Sequence, residues 1–289
     1  RDAPGPTHTP VKQSGEVMNH VYQIATFRAQ HSQKLRNVTI HSPSIIQIIS
    51  GSKRLFQSDG NIALTHSKLL LCSRSSRFSF ENSPEKGTFL SRVFSFHQSP
   101  EENQILLRQE NSAGQNRQWT NSDKALEQTL NILFSLNLSP MSTETQRLWL
   151  APLYQQLAER GALHHLFVSH HTSFSEQLTR YLSLSPSKAH PLEEVAAHFA
   201  VSRATFIRRL KKEDVRYREV LSDVRLSHAL SLMQDQSLSV LQLAYMCGYK
   251  SEQRFSQRFR SKFGLTPTEY MRTIRGHAEP SEVTDGALV

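Results

Sequence analysis

The chain has 289 residues, more than one domain usually holds, so we expect two domains. It carries 34 Lys and Arg against 25 Asp and Glu, and most of the excess lies in residues 171–275, with 17 basic and 10 acidic side chains, which favours a polyanionic partner. The two cysteines, Cys72 and Cys247, are too few for a disulfide framework or a Cys-based zinc site. The sequence shows neither a long apolar run nor a secretory leader pattern, which predicts a cytoplasmic protein with no membrane partner.

The first part of the chain is predicted to be rich in strands. Residues 1–20 are polar and contain several prolines, so we expect a disordered segment in which Met18 is a candidate natural start. Residues 21–115 form the β-rich region, because "SIIQIIS", "IALTHSKLLLC", "RFSFE" and "FLSRVFSFH" are short apolar or alternating runs, with a turn signal at Asp59-Gly60. Several short strands of this kind predict a small sandwich or barrel.

Residues 116–168 change to helical periodicity. One apolar stripe contains Leu126, Leu130, Leu133 and Phe134, and a second, after a predicted N-cap at Ser142, contains Leu150, Leu153 and Leu157. Two amphipathic helices after a β region either pack back onto it or form a dimer interface, and the sequence leaves both alternatives open.

Two features that resemble reactive sites are better explained structurally. His164-His165 and His170-His171 are adjacent pairs without a nearby carboxylate or cysteine at regular spacing, so we interpret them as linker residues and expect no metal. Cys247 lies beside Gly248 at a predicted helix end and is interpreted as a small buried residue, not as a redox sensor.

The most informative feature is an internal repeat between residues 192–212 and 240–262. Two small residues recur 48 positions later: Ala196 corresponds to Ala244, and Ala200 to Gly248. After one inserted residue the offset is 49, and the matched pairs are Ser202 with Ser251, Phe206 with Phe255, Arg209 with Arg258 and Leu210 with Phe259. A small residue lets two helices approach, a second permits the turn, and a serine caps the next helix, which is the pattern of a helix-turn-helix. The repeat therefore predicts two such units.

The outward faces of the second helices predict contacts with DNA. Opposite the buried anchors lie side chains that suit base edges in a major groove, namely Ala204, Thr205, Arg208, Gln253, Arg254 and Gln257. Around them lie residues that we assign to the DNA backbone, namely Ser202, Arg203, Arg209, Lys211, Lys212, Ser251, Arg258, Arg260 and Lys262. The helical segment 217–234 between the units spans roughly 27 Å, so one protomer is expected to contact two successive major grooves about 34 Å apart.

These motifs resemble a known family. "VAAHFAVSRATFIRRLKKE", "VRLSHALSLM" and "LAYMCGYKSEQRFSQRFRSKFGLTPTEYMR" closely resemble the DNA-binding region of AraC/XylS-type transcription regulators over about residues 173–275. Arg225 and Ala229 fit the linker helix of that family, whereas Asp214 stands where such proteins usually have glycine. More loosely, the chain resembles the branch that controls virulence or stress genes in enteric and marine bacteria.

The resemblance completes the predicted organisation. It implies an α+β multidomain protein: a cupin-like β-barrel regulatory domain (21–115), a helical dimerisation element and linker (116–168), an all-α double helix-turn-helix domain (169–275) and a disordered tail (276–289). It implies a nucleoid-associated transcription regulator of the activator class that binds double-stranded DNA as a homodimer and works with RNA polymerase. It also implies a small-molecule effector, whose site the sequence does not identify.

Two alternatives remain at this stage. The same DNA-binding protein could be controlled by a regulatory protein partner, or the barrel could be a cupin enzyme with autoregulatory DNA binding. The second alternative lacks the compact His-x-His cluster and following Glu that a metal-dependent cupin needs, so we expect no catalytic residue and no cofactor.

Overall fold

The computed structural model describes residues 20–57, 60–100, 118–167 and 172–275. Apart from His20, the two predicted disordered segments lie outside the described residues, as do Asp59 of the predicted turn and the pair His170-His171.

The first half of the chain forms two antiparallel sheets. Their strands are β1 (Tyr22–Ala29), β2 (Gln33–Thr39), β3 (Ser44–Ser50), β4 (Ser52–Gln57), β5 (Gly60–Leu64), β6 (Lys68–Cys72), β7 (Arg77–Ser83), β8 (Phe89–Phe96) and β9 (Trp119–Asn121). One sheet has the order β1-β8-β3-β6-β9 and the other the order β2-β7-β4-β5. In the described part of the chain, a pair of sheets thus stands where a barrel was predicted, and the two sheets do not close into a barrel.

The second half is helical. Its helices are α1 (Lys124–Ser135), α2 (Thr143–Glu159), α3 (Phe174–Ser183), α4 (Leu192–His198), α5 (Arg203–Lys212), α6 (Tyr217–Asp235), α7 (Val240–Met246), α8 (Glu252–Phe263) and α9 (Pro267–Ile274), with a short 3-10 helix at Leu163–His165. No helix in these described ranges combines the length and the apolar character needed to cross a bilayer.

Helices α1 and α2 cover the outer face of the five-stranded sheet. Ile45 of β3 and Leu71 of β6 point to that face and form one apolar cluster with Leu130 and Leu153 of the two helices. Because the opposite face of the same strands lines the space between the sheets, β3 and β6 are buried on both sides and are almost continuously apolar.

The two predicted helix-turn-helix units, α4 with α5 and α7 with α8, are attached to the rest of the molecule differently. Helices α3 to α5 and the first half of α6 form an apolar cluster of their own around Phe206. Helices α7 to α9 and the second half of α6 share one cluster with the inner faces of both sheets, which joins Phe263 and Tyr270 to Leu35 of β2. The second unit is therefore packed directly onto the β region.

The predicted order of strands followed by helices is confirmed, with three differences. Strands β1 and β2 lie within the predicted β-rich region, but none of the predicted strand runs covers them, because their alternation is weakened by polar residues on half-buried positions. The run "IALTHSKLLLC" is two strands separated by a turn at residues 65–67. Phe134 was predicted on the buried stripe of α1, but it is 43% exposed and lies beneath the Arg92 guanidinium, 3.7 Å from the ring centroid.

Candidate functional site

The second helix of the first repeat, α5, is capped and anchored as predicted. The hydroxyl of Ser202 accepts a hydrogen bond from the Thr205 backbone N–H over 3.2 Å. Phe206 and Leu210, one turn apart, are fully buried and fix one face of the helix against α3 and α4. The opposite face is left to solvent.

The second helix of the second repeat, α8, is built in the same way. The hydroxyl of Ser251 accepts from the Arg254 backbone N–H over 3.3 Å, and Phe255 and Phe259 are fully buried. A third ring, that of Phe263, extends the buried stripe to the end of the helix. Two equivalent helices thus present one polar face each.

The six residues predicted to contact bases lie on those faces. Ala204 and Arg208 of α5 are exposed, as are Gln253, Arg254 and Gln257 of α8. Thr205 is half-buried, and its hydroxyl accepts a hydrogen bond from Ser202 over 3.1 Å. The arrangement offers a guanidinium on both helices and amide groups on α8, which are the groups that pair with guanine and adenine edges.

Most residues predicted to contact the DNA backbone are exposed around these faces. The exposed ones are Ser202, Arg203, Arg209, Lys211, Lys212, Ser251, Arg258 and Arg260. Arg203 forms a solvated ion pair with Glu193 over 3.5 Å, a contact that stabilises little and leaves the guanidinium available.

Lys262 is the exception and corrects the prediction. Its side chain is only 11% exposed, and its ammonium lies 2.6 Å from the Asp223 carboxylate of α6 and donates to the Thr39 hydroxyl of β2 over 3.2 Å. Burial lowers the pKa of Lys262, and the Asp223 charge opposes that shift. In this arrangement Lys262 holds the second unit to the β region and does not face solvent.

The turns of both units use left-handed backbone conformations. After the first helix of each unit, Ala200 has φ of 52° and its counterpart Gly248 has φ of 75°. After the second helices, Asp214 has φ of 53° and Gly264 has φ of 90°. Asp214, which departs from the resembling family's glycine, therefore takes the same backbone conformation, one that Asp tolerates better than most residues.

Helix α6 connects the two units through Arg225. Its guanidinium donates to the carbonyl oxygens of Pro186 (Nε, 3.2 Å) and Lys188 (Nη2, 2.8 Å) in the first unit. The same group lies beside Gly248 of the second unit, where an added Cβ would come within 2.8 Å of it. One side chain therefore contacts both units.

A family model confirms the predicted motif. Residues 195–273 match a model described as a helix-turn-helix domain, and these residues include α5, α6 and α8. The C-terminal region of this chain is a helix-turn-helix domain of the AraC/XylS type.

Curated relatives match part of this chain. The urease operon transcriptional activator of Escherichia coli is 29% identical over 114 residues, which is 39% of this chain and 38% of that protein. The regulator GadX of Escherichia coli K12 is 33% identical over 79 residues (27% of this chain, 29% of that protein), and the TCP pilus virulence regulatory protein of Vibrio cholerae is 29% identical over 86 residues (30% and 31%). The chain thus spans about two-fifths or less of the length of the curated relatives it matches.

Solved structures extend the likeness to the β region. ToxT from Vibrio cholerae superimposes with a TM-score of 0.58 at 16% identity, covering 89% of this chain and 100% of that chain. A second ToxT structure, with an unsaturated fatty acid bound, gives 0.56 at 16% identity, covering 89% and 97%. At this identity the likeness shows the fold, and it confirms the predicted α+β fold class, a β region followed by a helical helix-turn-helix region.

A cavity of about 770 Å³ lies between the two sheets and reaches α6 and α9. Its walls are mainly apolar, for example Leu35, Ile46 and Leu55, and its helical side includes His228 and Tyr270. Burial lowers the pKa of His228 and raises that of Tyr270, so both are neutral near pH 7. Residues of both the β region and the AraC/XylS-type domain therefore line the cavity.

One polar group inside this cavity escaped the sequence analysis. Lys53 points inward from β4 on the same face as Leu55 and is 4% exposed. The sequence does indicate this burial, because the alternation in "SKRLFQ" puts Lys53 on the same face of the strand as the apolar Leu55.

The two positions considered as reactive sites have ordinary environments. Among the described residues, no group of three His, Cys, Asp or Glu is placed to hold a metal ion. The rings of His164 and His165 lie 3.9 Å apart on the short 3-10 helix. Cys247 is buried, and burial raises the pKa of its thiol to about 12, so the reactive thiolate is disfavoured.

Proposed function

We propose that this protein is a sequence-specific DNA-binding transcription regulator of the activator class. The observation that carries the proposal is the pair of capped, anchored helices α5 and α8, each with an exposed polar face, in a domain of the AraC/XylS type. The basic excess of residues 171–275 supplies attraction to DNA that does not depend on sequence. Such a regulator acts on the nucleoid in the cytoplasm, and activation implies RNA polymerase as a partner.

In this proposal one protomer contacts two successive major grooves. Helix α6 has 19 residues and thus spans about 28 Å, close to the distance of about 34 Å between grooves on one face of DNA. Arg208 of α5 and Gln257 of α8 occupy equivalent positions with different chemistry. The two half-sites should therefore differ, and the operator of one protomer should be asymmetric.

The β region is proposed to control DNA binding through a small-molecule effector in the cavity. A volume of about 770 Å³ with largely apolar walls is in the range typical of ligand sites. The cavity borders α6 and α9, so a ligand there would touch both halves of the molecule. The ToxT structure with a bound unsaturated fatty acid supports this use of the shared fold.

Helices α1 and α2 are proposed to form a homodimer interface. Their outer surface exposes Ile132, Phe134, Leu148 and Trp149, with Leu148 at 74%. Such a cluster of large apolar side chains favours a protein contact over solvent. Light scattering should give a dimer for the parent protein and a monomer for Leu148→Lys, whereas a monomeric parent would contradict this part of the proposal.

Selection of bound sequences from a random DNA library tests the proposed function. The parent protein should enrich one asymmetric site with two conserved blocks whose centres are about 10 base pairs apart. Arg208→Ala should relax one position in one block and Gln257→Ala one position in the other. Enrichment of no site, or relaxation of the same position by both variants, would show that the two faces do not contact separate grooves.

A further inference from the structure

The outer face of the four-stranded sheet is basic. Every residue of β2, β4 and β7 is described, and the charged side chains that alternation places outward are one carboxylate, Glu81, and four cations, namely Lys34, Arg36, Arg54 and Arg77. Strand β2 forms one edge of this sheet, and that edge meets the AraC/XylS-type domain where Lys262 donates to Thr39. The basic face of the β region thus adjoins helix α8.

A β-bulge in β2 redirects Arg36. Between Leu35 and Val38 the strand has one residue more than its partner β7. Asn37 in the bulge has φ of 53°, and its side-chain amide donates to the Lys262 carbonyl oxygen of α8 over 3.4 Å. Bulges bend a strand and re-aim its side chains, and this bulge lies where β2 contacts the end of α8.

Arg36 lies against Gly264, the residue that ends α8 with φ of 90°. A Cβ added to Gly264 would come within 2.5 Å of the Arg36 Nε, so the guanidinium occupies the space that a side chain would take. Both residues are exposed, and within the described ranges no carboxylate lies at ion-pair distance from Arg36. An exposed cation of the β region is therefore placed at the C-terminal end of α8.

Gly264 continues the polar face of α8. At about 100° per residue, four positions of the helix fall within a sector of about 60°, and they are Gln253, Gln257, Arg260 and Gly264. The first two belong to the face that the proposed function places against DNA bases. Because Arg36 packs against the last of the four, its guanidinium extends this face beyond the end of the helix.

The rise of the helix sets the distance from Arg36 to the bases. Gly264 lies seven residues after Gln257, which corresponds to about 10 Å along the helix axis. The major groove is about 12 Å wide, and the phosphates of the two strands border it. With the first turns of α8 in the groove, as helix-turn-helix units dock, a cation about 10 Å further along reaches the phosphates at the groove edge.

We propose that the β region contacts DNA directly, and that the Arg36 guanidinium binds a backbone phosphate that flanks the half-site of α8. This inference rests on the proposed function, because it requires the polar face of α8 to lie in a major groove. A guanidinium can donate to two phosphate oxygens at once, so one side chain makes an oriented contact. The contact adds affinity and no base preference.

The position of Arg36 also suits a purely structural role. A cation near the last carbonyl groups of a helix interacts favourably with the helix dipole, so Arg36 there stabilises α8. That role affects the free energy of unfolding and leaves the number of phosphate contacts unchanged. The salt dependence of DNA binding therefore distinguishes a phosphate contact from a helix cap.

Salt titrations with the full chain count the phosphate contact. Arg36→Gln should reduce the slope of log affinity against log salt by about 0.9, so its loss of affinity should be about 3.5-fold greater at about 50 mM than at about 200 mM salt. Arg36→Lys keeps the charge and should keep the slope. Arg54→Gln is the matched control, since it removes an exposed cation from the same sheet face, on β4 and opposite Glu81, and should leave the slope unchanged.

Neutral phosphates locate the contact. Single methylphosphonate substitutions are placed along both flanks of the block that Gln257→Ala relaxes. The parent protein should lose affinity at a flanking phosphate where Arg36→Gln loses little, and Arg54→Gln should lose as much as the parent. This double-mutant cycle assigns the phosphate to Arg36 even if the variant is less stable than the parent.

Three results would overturn the proposal. They are an unchanged salt slope in Arg36→Gln, an equal loss of slope in Arg54→Gln, and an equal response of Arg36→Gln and the parent to every neutral phosphate. The slope can also be measured on unrelated DNA, because a phosphate contact does not depend on sequence. DNA binding with an unchanged slope contradicts the Arg36 contact alone, whereas no binding to any DNA contradicts the proposed function as well.

Discussion

The Lys262 ammonium lies 2.6 Å from the Asp223 carboxylate, so a residue of α8 is bound to helix α6 at the edge of the β region. The Thr39 hydroxyl of β2 completes the contact. Asn37 of the same strand donates to the Lys262 carbonyl oxygen over 3.4 Å. The end of α8 is therefore held by β2 and α6, while its first turns remain exposed.

Lys262→Met should destabilise the protein by about 2 kcal/mol, because it removes the cation 2.6 Å from the half-buried Asp223 carboxylate and leaves that carboxylate the Arg77 guanidinium at 4.0 Å. Arg260→Met is the matched control, two residues away and exposed, and should change the free energy of unfolding by less than about 0.5 kcal/mol. Urea denaturation measures both. Equal effects would mean that the contact with Asp223 contributes no more than a surface charge.

Lys211→Ala should weaken binding to all DNA sequences alike and reduce the slope of log affinity against log salt by about one, because it removes one phosphate contact. Arg208→Ala should cost about 1–3 kcal/mol on the best operator and much less on unrelated DNA. Titrations at several salt concentrations separate the two effects. If Arg208→Ala bound its operator as tightly as the parent, the assignment of the α5 face would be wrong.

Gly248→Ala should destabilise the DNA-binding region by more than about 1 kcal/mol. The residue has φ of 75°, and a Cβ there would lie 2.8 Å from the Arg225 guanidinium, which holds Pro186 and Lys188. Thermal denaturation measures the loss. Gly87→Ala, at φ of 83° with open space around it, is the control for backbone strain alone and should cost less.

Acid should loosen the contact between β2 and α6 through His41. Burial lowers the pKa of His41 to about 4, and the ring faces Ser227 at 2.9 Å together with Lys262, Asp223 and Arg77. Because the folded pKa lies below the ordinary value of about 6.5, the unfolded chain takes up the proton first, and stability is lost as pH falls from about 6.5 to about 4.

His41→Gln should make this decrease shallower, since the amide can still contact Ser227 and does not titrate in that range. His66→Gln, at an exposed position, should leave the decrease as it is. Urea midpoints at about pH 7 and about pH 5 give the comparison. An identical slope in His41→Gln and the parent would assign the acid sensitivity to other groups.

Local patterns explain how much of the site was predictable. The serine caps, the paired aromatic anchors and the small turn residues of the repeat all act within a few residues, so Phe206, Phe255 and Ser202 could be assigned from spacing. The exposed faces follow from those anchors, because a helix has a fixed periodicity. The base contacts themselves remain predictions until a DNA complex or the selections above test them, as do the domain boundaries.

Long-range packing explains what was missed. Lys262 looks like its exposed neighbours in sequence, and only the approach of β2 and α6 buries it. Phe134 lies on a helical stripe yet faces outward beneath Arg92, because α1 packs with Leu126, Leu130 and Leu133. Helical periodicity identifies the buried face of a helix, but it does not decide whether a residue at the edge of that face is buried.

The sequence by itself determined the order of strands and helices and predicted two helix-turn-helix units with exposed polar faces on α5 and α8, because caps, turns and periodic apolar residues are local properties of the chain. Only the tertiary structure decided that the second unit shares its core with the β sheets and that Lys53 lies in a cavity joined through Gln33 to Thr273. Gln33 and Thr273 are 240 positions apart. Burial and hydrogen bonding at such separations depend on how the elements pack, which no local pattern encodes.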